Sequence, residues 1–414
     1  MTLSRQTEPS AFGVSSRMAR ALADTWRIRI LAELSVRNLS PSQFVAEVGG
    51  ELTDIARSFR QLEDLGYVRL VEERPGRRGG AAIEHVYEGV TKAHGDTATW
   101  ESVALSDRDA VSRSILSSYF ARISEAVRAG TFDEDVDRHL SWDAVALDRF
   151  AWQQLGDRLD EVLDWLPEIS VNRPAATAGE TVSAIVGLTS FRSAQPVDVL
   201  LKTSRRREPM PTPEGNLYQI GISPKLAKAL SNGWRCRIVM ELTARPMSPS
   251  QFVEEVGGSI SHISRCFREL ASWGYVEVIE ERKGGRNGGG VERIYRNTRR
   301  AYFDTPSWET LPRLVRTEVS RSFLSSYQDR VVEAVEAGTF DAETDRHLSW
   351  TPLVVERPGW KQICTVLDEI LDWLPELESD SLARTRRDLD QLIPVIVGLT
   401  SFRSPQPEGT EPKT

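Results

Sequence analysis

The 414-residue chain has three cysteines, no long apolar run and no surplus of positive charge, and each shortage removes a class of protein. Cys236, Cys266 and Cys364 are isolated and odd in number, so no disulfide framework is written into the sequence. No apolar run approaches the roughly 20 residues of a membrane span. The opening residues, MTLSRQTEPS, lack the charged-then-apolar pattern of a secretion signal, so a cytoplasmic chain is expected. No nucleophile motif or phosphate-binding glycine loop occurs, which argues against an enzyme and against any cofactor. The net charge of −8 is unfavourable for a nucleic-acid binder, because phosphate contacts supply most non-specific affinity. A local basic surface would still serve, with the acidic excess placed on helices elsewhere.

What is present is a repeat. Residues 40–66, SPSQFVAEVGGELTDIARSFRQLEDLG, return at 248–274 as SPSQFVEEVGGSISHISRCFRELASWG. In each copy a serine, Ser40 or Ser42, can cap a first short helix whose Phe44, Val45 and Val48 share one face. Gly49 and Gly50 end that helix, because glycine enters left-handed backbone cheaply. A second helix carries Ile55, Phe59, Leu62 and Leu65 on one side and stops at Gly66. An alternating strand follows, then a glycine-rich basic turn around Arg74, Arg77 and Arg78, then a second strand near Ile83 to Tyr87. A helix-turn-helix followed by such a hairpin reads as a winged helix.

The pattern Ser259, Ile263-Ser264-Arg265, Leu270, Gly274-Tyr275-Val276 resembles the recognition helix and first wing strand of bacterial ArsR-type and PadR-type winged-helix repressors, over about 80 residues of each half. The resemblance implies that side chains near the start of the second helix enter the major groove of double-stranded DNA, while the wing tip contacts backbone or minor groove. Carried over by position, the DNA-binding candidates are Ser259, Ser261, His262, Ser264, Arg265 and Arg268 in the second copy and Thr53, Asp54, Arg57 and Arg60 in the first. The wings add Arg74, Arg77 and Arg78, and Arg282, Lys283 and Arg286. Glu51 and Asp54 stand where the second copy has Ser259 and His262, so the copies are not chemically equal. ArsR-type metal sensors usually hold paired cysteines in this region. Here Cys266 is alone, with Ser58 as its counterpart, and no metal is expected.

The repeat extends beyond the wing at an offset of 208 residues, which relates Trp26 to Trp234, Tyr119 to Tyr327, Trp142 to Trp350 and Trp165 to Trp373. Residues 17–36 read as a supporting helix with Met18, Leu22, Trp26, Ile30 and Leu34 on one face. Beyond the wing, a long helix over 107–129 ends at Gly130, His-Leu-Ser-Trp begins a strand, a helix over 152–166 ends at Pro167, and VSAIVGLTSFRS closes the half as another strand. Its partner IPVIVGLTSFRS sits at offset 211, after a three-residue insertion, as from Phe191 to Phe402.

The expected fold class is α+β, mostly helical with small sheets. It comprises a flexible tail (1–16), a winged helix (17–98), an α+β module (99–193), a Pro- and Arg-rich linker (194–223), a second winged helix (224–306), a second module (307–403) and a tail (404–414). His139 and His347, each in a DRHLSW context, read as structural hydrogen-bonding groups. Eleven tryptophans argue for cores or interfaces, and Trp142, Trp165, Trp350 and Trp373 are candidates to line a pocket for an apolar effector. The expectation is a transcriptional regulator, a repressor by resemblance, acting as a single-chain pseudo-dimer on an asymmetric site, with further homodimerisation left open. The alternative is a protein-interaction module in which one or both winged helices bind protein.

Overall fold

The computed structural model describes residues 18–75, 83–90, 100, 103–170, 181–197, 232–244, 246–283, 291–298, 311–386 and 388–405. After a short helical stretch over 18–22, helix α1 runs Thr25–Leu34. The sequence predicts one helix through this region. It breaks because the Asp24 carboxylate accepts from the Arg27 N–H (3.0 Å) and caps α1 from extended backbone. Trp26, expected inward, is 38% exposed and meets Phe44 edge-on.

Helix α2, Pro41–Val48, begins with a capping box: the Gln43 N–H donates to Ser40 Oγ (3.1 Å), and the Ser40 N–H donates to the Gln43 carbonyl oxygen (2.9 Å). Gly49 and Gly50 both take positive φ, which turns the chain into α3, Leu52–Asp64. Strands β1 (Val68–Pro75) and β2 (Ile83–Gly89) form an antiparallel hairpin. Ile30, Phe44, Ile55, Phe59, Leu62 and Tyr87 bind helices and hairpin into one core.

The first half continues with α4 (Leu105–Ala129), β3 (Leu140–Leu147), α5 (Arg149–Trp165) and β4 (Thr181–Arg192). The second half repeats the series as α6 (Gly233–Ala244), α7 (Pro249–Val256), α8 (Ile260–Ser272), β5 (Val276–Lys283), β6 (Val291–Asn297), α9 (Arg313–Glu336), β7 (His347–Glu356), α10 (Arg357–Arg384) and β8 (Ile393–Arg403). Ser248 and Gln251 repeat the capping box of Ser40 and Gln43.

The sequence predicts two separate α+β modules, at 99–193 and 307–403. The structure corrects this: their strands build one four-stranded sheet in the order β3-β8-β4-β7, with every neighbouring pair antiparallel. All three pairings cross between the halves. Within a half, β3 and β4 are therefore parallel, joined through α5, with a gap one strand wide that the other half's β8 fills. Neither half can complete its own backbone hydrogen bonding, so the two modules fold as one.

The central pair is self-matched. Leu188 lies opposite Leu399, its own counterpart in the repeat, which places a pseudo-twofold axis at that pair. Side chains alternate across β4 and β8. Ile185, Phe191, Ile396 and Phe402 face the long helices α4 and α9, while Val182, Ala184, Val186, Leu188, Val395, Val397 and Leu399 face α5 and α10. Helix α1 packs on α4 and α6 on α9, so both helix-hairpin units join the body through the long-helix layer.

Helix α10 continues through Pro375, the counterpart of the Pro167 that follows the end of α5. Its extension runs beside β3, where Glu378 accepts from the Ala146 N–H (2.9 Å) and covers part of the sheet edge. Cutting the chain within 198–223 is expected to leave the two halves associated, because the shared sheet does not depend on the covalent link. Size-exclusion chromatography of the cut protein under native conditions checks this, and two separately eluting halves would refute the shared-sheet account.

Candidate nucleic-acid interface

Helix α3 turns Ile55, Phe59 and Leu62 into its unit's core, and the 3.6-residue period then leaves Thr53, Asp54, Arg57 and Arg60 exposed on the outer face. In α8 the buried row is Ile263, Cys266, Phe267 and Leu270. Ser259, Ser261, Arg265 and Arg268 are exposed, and His262 and Ser264 are half-buried. Each set of candidates therefore shares one helix surface in its own unit. Leu52 and Ile260, aliphatic and about half exposed at the first turn of each helix (49% and 48%), were missed from sequence. Their signal was available: an apolar residue one step before the inward-facing period.

The outer faces are organised differently. On α3 the Asp54 carboxylate pairs with the Arg57 guanidinium at 3.2 Å. On α8 the corresponding partner of Arg265 is the His262 ring, whose Nδ1 lies 2.8 Å from the guanidinium, and Ser259 and Ser261 share a hydroxyl contact at 3.0 Å. Arg268 and Arg60 each fold back to donate Nε–H to the carbonyl four residues earlier (both 3.2 Å).

In the hairpins, Arg74 is gripped through both Nε and Nη2 by Glu72, two residues back on the same strand face, and Arg282 by Glu280 in the same way (2.8 and 3.0 Å). These contacts hold the Glu72 carboxyl below the usual carboxylate range. The wing arginines expected as free phosphate contacts thus start out partnered, since side chains two apart on a strand point the same way and the sequence supplies a glutamate at each such position. Arg77, Arg78 and Arg286, and the side chain of Lys283, lie outside the described residues.

The acidic surplus sits on the far side of the sheet. Helix α5 and the residues just after it expose Asp157, Asp160, Glu161, Asp164 and Glu168, and α10 exposes Glu369, Asp372, Glu376 and Asp380. Helices α3 and α8 belong to units packed on the opposite, long-helix layer, so the overall −8 does not describe the surface they present.

No family model, curated protein or solved structure matches the chain. The functional reading therefore rests on the residues themselves.

The four tryptophans proposed to line a pocket do not converge. Trp142, edge-on to Phe323, and Trp350 face the long-helix layer, whereas Trp165 and Trp373 pack with α5 and α10 on the other side of the sheet. Strand alternation separates them: Trp142 and Trp350 sit at sheet positions of one parity, and the other two come from helices on the opposite face.

His139 and His347 have an arrangement the sequence did not show. The His139 Nδ1 meets Asp368 (2.8 Å) and its Nε2 meets Ser141 (2.6 Å), while His347 meets Asp160 (3.0 Å) and Ser349 (2.8 Å). The connectivity is that of a serine–histidine–carboxylate relay, but each serine lies inside a strand whose neighbours belong to ladder pairing, Ser141 opposite Leu399 and Ser349 opposite Leu188. Each histidine instead links a strand of one half to a helix of the other. Buried Cys266 has its thiol pushed up by burial, as befits a small core residue.

A second group missed from sequence joins reader to body. Glu241, fully buried, accepts from Arg330 Nη2 (2.7 Å) and Ser326 Oγ (3.0 Å) and forms an ion pair with Arg237 (2.8 Å). The first half answers with Glu33 and Arg29 (3.2 Å), but there Arg122 stands 3.7 Å from Glu33 and donates to Ser404 (2.6 Å), while its pair with Glu125 (2.8 Å) matches that of Arg330 with Glu333 (3.0 Å). Its sequence signal was an Arg-x-x-x-Glu pair on the inward side of α1 and α6.

Proposed function

We propose that the chain is a sequence-specific DNA-binding regulator, two winged helices carried on one pseudo-dimeric body and acting in the cytoplasm as a repressor. The observation that carries the reading is the pair of exposed polar faces on α3 and α8, at equivalent positions of two units related by the axis at Leu188 and Leu399. Paired readers of this kind suit half-sites about one helical turn, roughly 34 Å, apart on DNA. One chain would supply both readers, and because Asp54 with Arg57 faces one half-site and His262 with Arg265 the other, the site would be asymmetric. The dispersed tryptophans give no support to an apolar effector, which is not part of the proposal. Among the described residues no helix is long and apolar enough to cross a membrane.

Selection of bound duplexes from a random pool tests this, run with wild type, Arg265→Ala and Arg57→Ala. Arg265→Ala is expected to cost about 1–3 kcal/mol of specific affinity and to relax the preference at one position. Arg57→Ala is expected to cost less, because binding through Arg57 must first disrupt its pair with Asp54. Failure to retain any duplex at low salt would overturn the DNA reading in favour of winged helices that bind protein.

A further inference from the structure

The two reading helices differ most at the acceptor that holds the reading arginine. In α3 this acceptor is the Asp54 carboxylate. In α8 it is the Nδ1 of His262. A guanidinium can only donate, so the contact requires a lone pair on Nδ1 and therefore a neutral ring with its proton on Nε2. That second nitrogen points at Cys266 Sγ, 3.7 Å away, a long contact to a weak acceptor. The ring is half-buried, and among the charged groups that act on the neighbouring Cys266 are Arg265 itself and Arg235 and Glu269, the last two paired with each other at 2.7 Å.

Resting on the DNA-binding reading above, we propose that His262 is a proton-operated latch on Arg265 and makes the second reader, and not the first, tighten on DNA as the solution turns mildly acidic. When the ring is neutral it draws the guanidinium back along the helix. A proton taken from solvent onto Nδ1 occupies the lone pair that held Arg265, so the bond is lost and two like charges face each other. Arg265 then leaves the helix surface, and the reading face gains a positive charge directed at phosphate. On the first reading helix the acceptor at this position is the Asp54 carboxylate, and that unit's histidine, His85, lies in the hairpin against Glu73 (3.6 Å) rather than against a reading arginine, so acidity shifts the balance between the half-sites toward the one read by α8. His262 is thus a specificity-determining residue that acts by positioning Arg265.

The experiment measures affinity of the full-length protein for its selected duplex between about pH 8 and pH 5.5, the span of an ordinary histidine titration, at constant ionic strength. Wild type is compared with His262→Gln and Asp54→His. Wild type is expected to bind roughly tenfold more tightly at the acid end, His262→Gln to lose most of that gain, and Asp54→His to add a second pH-dependent step. Footprints at the two pH values should strengthen only over the α8 half-site. In parallel, the Nε–Hε resonance of Arg265 in the free protein is followed by NMR against the His262 ring. Equal affinity at both pH values, an undiminished gain in His262→Gln, or an Arg265 resonance that ignores the His262 titration would each overturn the latch. Absence of DNA binding at every pH would overturn the function proposed above, and the free-protein titration would still decide whether Arg265 is held and released.

Discussion

Alanine at both Gly187 and Gly398 is expected to lower the stability of the whole chain by roughly 2–6 kcal/mol, as the sum of two overpacked positions at the centre of the sheet. At Gly398 an added Cβ would sit 2.6 Å from Tyr327 Cε2 and 2.7 Å from Thr189 Oγ1, and at Gly187 it would collide with the Tyr119 hydroxyl and with Thr400. These contacts are between the halves as well as within them. The Thr189 hydroxyl donates to the Gly398 carbonyl (3.1 Å), so the Tyr327 hydroxyl must donate to Thr189 (2.5 Å), and Tyr119 and Thr400 make the matching contact across the axis. Burial pushes both phenols up and keeps them neutral donors. Removing a phenol oxygen relieves little at either site. Tyr119→Phe leaves ring carbon Cζ 2.6 Å from the Cβ added in Gly187→Ala, and Tyr327→Phe leaves Cε2 at 2.6 Å in Gly398→Ala, so both pairs of changes are expected to recover only a small part of the loss. Chemical denaturation of the single and paired variants checks both statements, and an unchanged midpoint in the double-alanine variant would mean that the Tyr layer does not press on the sheet.

The second large effect is at Glu241. Glu241→Ala takes the fully buried carboxylate away from Arg330 and Arg237 and leaves each with one partly exposed partner, Glu333 (3.0 Å) and Asp329, so the loss is expected to approach but not exceed the roughly 3–5 kcal/mol of a fully uncompensated buried pair. Glu33→Ala is expected to cost less, because Arg122 lies 3.7 Å from Glu33, against 2.7 Å for Arg330 and Glu241, and already donates to Ser404. Replacing the buried pair together, Glu241→Leu with Arg330→Met, should restore most of the loss, since Arg237 keeps Asp329 as a partner and an apolar pair carries no desolvation cost. Because this group lies between α6 and α9, its loss should also loosen the second reader on its body. Hydrogen exchange in α6, slower than in α3 in wild type or not, should accelerate in Glu241→Ala before the central strands exchange. Uniform acceleration across the chain would place the group in global stability alone.

Much of the local structure was legible. The serines that cap α2 and α7, the glycines that end them, the helical period of α3 and α8 and the apolar runs of β4 and β8 are short-range signals, and each element formed where those signals put it. The orientation of the reading residues followed from the same period, because burying Ile55 and Phe59 leaves Asp54 and Arg57 outside. What touches the candidate side chains was less legible. Glu72 grips Arg74 only because both lie on one face of a strand, and His262 reaches Arg265 only when three residues of helix bring ring and guanidinium level.

By itself the sequence determined that the chain is a duplication, which residues of α3 and α8 face the cores of their units and where α2, α3 and their copies start and stop. Those properties depend on neighbours a few positions away. Only the tertiary structure decided that the duplicated modules are one body. A strand of alternating apolar residues pairs equally well with any partner of suitable register, so VSAIVGLTSFRS carries no mark that its neighbours on both sides come from the other half, β8 at Ala184 to Arg192 and β7 at Thr181 to Ser190. The same holds for Tyr119 over Gly187 and Thr400 and for His139 on Asp368, contacts between residues far apart in sequence that exist because burying two faces of one shared sheet satisfies more backbone and apolar surface than two incomplete modules could.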